Sequence, residues 1–136
     1  MSSGPLHSPV VAGRRSMRRL ATSILFLAGA CSSGHPASPK ITFDLTRLDA
    51  EGLTGGPGAL RALHYEFCIP AGEPHAAEVR GVDATAQFMP RSRGRIGCTT
   101  EQVLVVGSTH QPGYRHVLER LAALSYVQRI EQAYFE

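Results

Sequence analysis

The sequence has no tryptophan, no internal repeat, no heptad pattern and no low-complexity run, which leaves no case for a solenoid or a coiled coil. It also lacks a CxxC pair, a GxSxG elbow, an HExxH pair and a Gly-Lys-Ser/Thr phosphate loop. Local sequence therefore offers no standard route to thiol exchange, serine hydrolysis, zinc hydrolysis or nucleotide binding. Its main apolar stretch, LATSILFLAGA at 20–30, is eleven residues long, whereas a membrane-spanning helix needs about 20. A permanent span is not expected.

That short stretch has informative neighbours. Arg14, Arg15, Arg18 and Arg19 precede it, and the polar SSGHPASPK follows it. A positive region, an apolar segment of about 7–15 residues and small residues at its end form the layout of a secretory signal. A buried core helix is the alternative, and the four arginines at its start weigh against it. Leu27, Ala28, Gly29, Ala30 and Cys31 resemble the lipobox of bacterial lipoprotein precursors, with Ala28 where the strongest form of that motif has leucine. The resemblance implies that Cys31 becomes the first residue of the processed chain and carries acyl chains, palmitate among them, as its membrane anchor. Each buried methylene of such a chain contributes about 0.8 kcal/mol. Ser32 after the cysteine, in place of aspartate, implies the outer membrane facing the periplasm, in a cell that has one. Met17 offers a second start with the compact run MRRLA, and the paired arginines leave a twin-arginine export route open.

The leader also decides how charge is interpreted. The whole chain has 14 Lys and Arg against 11 Asp and Glu, a formal charge of +3. Residues 1–30 hold four of those arginines and no acid, so the remaining 106 residues carry 10 basic and 11 acidic groups, or −1. The basic excess belongs to the leader and does not indicate a nucleic-acid partner. The chain divides into a signal peptide at 1–30, a lipidated cysteine and tether at 31–40, and one small domain at 41–136. With Cys31 assigned to lipid, Cys68 and Cys98 remain as a disulfide pair suited to an oxidising compartment, with two free thiols as the alternative.

Within the domain, KITFDLTRLD alternates Ile41, Phe43 and Leu45 against polar residues and predicts a strand over 41–46. GLTGGPGAL (52–60) predicts a loop. ALHYEFCIP (62–70) is the clearest strand, with Leu63, Tyr65, Phe67 and Ile69 on one face and His64, Glu66 and Cys68 on an outer polar one. A short helix opens at Glu73-Pro74 and is interrupted by Gly81; TAQFM predicts a strand; RSRGRIGCTTE is a long basic loop. QVLVVGS predicts a strand buried on both faces. Tyr114, Val117, Leu118, Leu121 and Leu124 mark an amphipathic helix, with Pro112 in its first turn. The tail SYVQRIEQAYFE fits a returning strand or a helix, and the strand is preferred. This order predicts a small α+β domain of ferredoxin-like, split βαβ type with an extra N-terminal strand. YEFCIPAG and SRGRIGC…GSTHQP resemble segments of small bacterial proteins to which no activity is attached.

No constellation points firmly to catalysis. His64, Glu66 and Cys68 are metal-ligand types, but residues two apart on a strand are separated by about 6.6 Å, too far for one ion to hold all three. No metal or other cofactor is expected. Arg91, Arg93 and Arg95 alternate in a glycine-containing loop at 91–97, and Ser108, Thr109 and His110 stand where a buried strand meets a helix; both are candidate anion-binding features. Their plainer roles are a solvated basic loop and a helix cap. A thiol enzyme centred on Cys98, or on Cys68, with His110 or His116 as base is a further alternative. The favoured reading is a lipid-anchored cell-envelope protein whose domain binds or scaffolds an envelope partner. An anion-binding module and a thiol enzyme follow behind it.

Overall fold

The computed structural model describes residues 36–135; the 1–30 leader, Cys31 and the start of the tether lie outside the described residues. Among the described residues no helix is long and apolar enough to cross a membrane. The chain enters through a 3-10 turn at Leu45–Arg47 and a small hairpin, β1 (Leu53–Thr54) and β2 (Arg61–Ala62). It continues through β3 (His64–Pro70), α1 (Glu73–Val82), β4 (Gln87–Met89), β5 (Gln102–Ser108), α2 (Tyr114–Ala123) and β6 (Glu131–Ala133). The last four strands form an antiparallel sheet in the order β4-β5-β3-β6. Two strand–helix units whose first strands pair in the middle are the split βαβ arrangement, so the domain is α+β of ferredoxin-like topology.

Each long element follows from its sequence. Alternation in β3 sends Tyr65, Phe67 and Ile69 toward the helices, where they are fully buried with Val105 of β5, Val79 of α1, and Leu118 and Leu121 of α2. Pro74 suits the first turn of α1, where its missing amide hydrogen costs nothing. Gly81 does not end that helix, which runs on to Val82 and stops at Asp83. Pro112 falls outside α2, whose cap is Gly113 in the left-handed region.

Three expectations need correction. No strand forms over 41–46: Ile41 makes a single parallel bridge to Ile130. Asp44 then accepts from the amide and hydroxyl of Thr46, at 2.9 and 2.6 Å, and this local capture turns the chain into the 3-10 turn. Arg115 of α2 holds that turn by donating to the carbonyl of Leu45 at 2.9 Å. Next, the glycine-rich stretch at 52–60 is not all loop, because Leu53 and Thr54 pair with Ala62 and Arg61. Finally, the second face of β3 is not an outer polar face. Ile96, Cys98, Leu104, Val106 and Ala133 form a separate buried cluster there, and Glu66 beneath it is only 5% exposed. The sheet thus has helices on one side and the 91–98 loop over part of the other.

Candidate functional site

The basic loop is organised around its cysteine. Cys98 is fully buried and bonded to Cys68 of β3, with the Cα atoms 5.5 Å apart across a separation of 30 residues. The amide of Ile96 donates to the Glu66 carboxylate at 2.7 Å, a second attachment of the loop to the sheet. Gly94 has φ +62°, and a Cβ there would meet Leu104 and the same carboxylate at 2.7 and 3.0 Å, so close seating of the loop requires glycine. The three arginines go different ways. Arg93 donates through Nε to the Cys98 carbonyl at 2.9 Å, Arg95 lies over the Tyr134 ring at 5.8 Å, and Arg91 is exposed. A small cleft of about 160 Å³ beside the disulfide is lined by Cys68, Ile96, Gly97, Gln102, Gln128 and Arg129.

Ser108, Thr109 and His110 leave the far end of β5, which pairs with His64 at the start of β3, so they do not join the arginine loop. None caps α2, whose N-cap residue Gly113 has no side chain to offer. Thr109 is instead an internal fastening. Its fully buried hydroxyl accepts from the Leu63 amide at 3.0 Å and donates to the Gly52 carbonyl at 2.5 Å, tying the hairpin to the sheet. Gly52 has φ +78°, and a Cβ there would come within 1.9 Å of the Thr109 carbonyl oxygen. Ser108 Oγ accepts from the His110 amide at 3.2 Å, and His110 Nδ1 lies 3.3 Å from the Glu51 carbonyl.

One buried polar cluster was not anticipated from the sequence. Asp83 is 1% exposed and accepts from the Tyr65 phenol at 2.7 Å, the Thr85 hydroxyl at 2.7 Å, the Thr85 amide at 2.8 Å and Gln111 Nε2 at 3.0 Å. Burial first, and then the Asp83 carboxylate, push the Tyr65 phenol far above its ordinary range. The cluster ties the end of α1 to the turn before α2, and its hydrogen bonds are mutually satisfied. The sulfur of Cys98 packs on the face of the sheet opposite α2, which carries His116, while His110 lies beyond the far end of β5. No thiolate exists at Cys98 while the disulfide is intact. Among the described residues no three His, Cys, Asp or Glu side chains gather to hold a metal ion.

An open groove lies where β6 ends beside the hairpin. Its volume is about 450 Å³, and its walls include Arg47, Arg61, Leu63, His64, Tyr134 and Phe135. His64 and Phe135 meet edge to face at 5.0 Å and also border a neighbouring hollow of about 400 Å³ that reaches Thr85, Gln87 and Ser108. The exposed large hydrophobic side chains of the described residues are Leu60, Tyr134 and Phe135, 56, 59 and 64% exposed. Two of them line this groove and the third adjoins Arg61. Only the pairing of residues distant in sequence creates the groove, so no local motif signals it.

No family model matches the chain, and neither a curated protein nor a solved structure does.

Proposed function

We propose that this chain is an exported, lipid-anchored protein of the cell envelope whose disulfide-braced α+β domain works by binding or scaffolding a partner there. The observation that carries the reading is the Cys68–Cys98 disulfide, which closes the 91–98 loop over the sheet. Disulfides persist in oxidising compartments and are rare where glutathione keeps thiols reduced. The leader pattern supports the same address, with Cys31 as the lipidated residue. The domain supplies an open groove with basic and aromatic walls, which suits binding.

The test is the intact mass of the full chain taken from its native membrane, before and after reduction. The expected mass is that of Cys31–Glu136 plus acyl groups, rising by about 2 Da on reduction as each sulfur takes one hydrogen. An unprocessed chain bearing free thiols would overturn the reading and make Cys68 and Cys98 the first residues to test for chemistry.

A further inference from the structure

We propose that the groove at the end of β6 binds an acidic segment of another protein, whose carboxylates meet Arg47 and Arg61 and whose apolar side chains pack on Tyr134 and Phe135. This rests on the binding reading above and names the partner's chemistry.

Charge comes first. Arg47 and Arg61 are both exposed, both line the groove, and neither forms an ion pair among the described residues. Several other arginines are engaged: Arg80 pairs with Glu73, Arg129 with Glu131 at 2.8 Å, and Arg115 donates to main-chain carbonyls. Asp44, in a small adjoining hollow with Arg47, accepts both donors of Thr46 and is held below its ordinary carboxylate range first by those bonds and then by the Arg47 charge. Two exposed guanidinium groups line one groove whose described walls hold no acidic side chain, which favours carboxylates that their planar donor sets match.

Apolar surface comes second. Tyr134 and Phe135 line the same groove, and exposed apolar side chains gathered at one place mark an interaction surface. Aromatic residues and arginine are the types enriched at protein interfaces. A small molecule fits the site less well. Compact ligands are enclosed on most of their surface, whereas the Tyr134 and Phe135 side chains walling this groove face largely outward. An extended peptide uses such an open wall, placing alternate side chains on the arginines and on the rings.

The experiment pans a random displayed-peptide library on the full chain and titrates the selected peptides against it. Selected sequences are expected to carry Asp or Glu beside aliphatic or aromatic residues. Their affinity should fall at least about tenfold in Arg61→Glu and in Arg47→Glu, fall with added salt, and recover when the peptide acids are changed to lysine. Both arginines are exposed, so near-UV circular dichroism of these variants should match the parent chain. Peptides without acidic bias, or peptides that bind both charge-reversed variants unchanged, would overturn the proposal. So would the selection of no peptide, whether the groove then takes free glutarate, anionic phospholipid vesicles or nothing. A processed, acylated mass together with failed selection removes this site and leaves the anchor standing.

Discussion

The phenol of Tyr65 donates to Oδ2 of Asp83 at 2.7 Å, and both groups stand where a side chain on Gly107 would have to go. Gly107 sits opposite Tyr65 across the β3–β5 ladder, and a Cβ there would come within 2.4 Å of the ring and 2.5 Å of the carboxylate. Gly107→Ala is therefore expected to cost about 3 kcal/mol, the upper part of the range for overpacking. The check is a lowered urea midpoint with an unchanged slope. Gly81 provides the opposite sign, since it lies in α1 with open space around it. Gly81→Ala should stabilise the domain by about 0.5–1 kcal/mol.

Tyr65 also sets an alkaline limit. Burial, followed by the Asp83 carboxylate, raises its phenol well above the unfolded value of about 10. The folded state thus keeps a proton that the unfolded chain releases. Stability is intact below about pH 10 and declines as pH rises further toward the folded value. Tyr126, whose phenol donates to Glu78 at 2.6 Å and is likewise raised, chiefly by burial, shares this decline. Tyr65→Phe should cost about 1–2 kcal/mol at neutral pH, because Asp83 loses one donor, and should flatten the alkaline limb without abolishing it. Denaturant midpoints on both sides of about pH 10 test both effects.

Replacing both cysteines, as Cys68→Ser with Cys98→Ser, should lower stability by about 3.6 kcal/mol, the chain-entropy value for a separation of 30 residues. The loss should also be local. The amide of Ile96 donates to Glu66 beneath the loop, so its hydrogen-exchange protection should fall before that of Val105 in the main core. Equal loss at both amides would show that the bond braces the whole domain and not the loop alone.

Thr109 separates a fastening role from a ligand role. Thr109→Val keeps the shape but leaves the Leu63 amide and the Gly52 carbonyl without this partner, and should cost about 2–3 kcal/mol. Thr109→Ser retains the hydroxyl and should cost less than Thr109→Val. A valine variant of parental stability would favour a ligand-contact role for Thr109 over a fastening one.

Legibility in the sequence tracked the range of the interactions involved. Strand β5 lies at Gln102–Ser108, where its continuous apolar run places it, and α2 follows its apolar stripe because period and burial are local signals. The Cys68–Cys98 pairing was readable from cysteine arithmetic. The N-terminal strand failed because one side chain, Asp44, competes with strand pairing by binding Thr46, an effect that alternation does not register. Glu66 looked solvated because its cover is a loop some 30 positions away, joined by a covalent bond and one amide. Arg47, Arg61, His64 and Phe135 carry no motif among them, and it takes the 3-10 turn, the β1–β2 hairpin and β3–β6 pairing together to bring them to one groove.

The sheet order has a consequence for behaviour at high concentration. Its seven-residue strands, β3 and β5, lie in the middle, and its edges are the three-residue strands β4 and β6. A stray chain seeking an open row of amides and carbonyls finds only a short template on either side. The ordering that buries the core therefore also guards the folded domain against strand-on-strand aggregation.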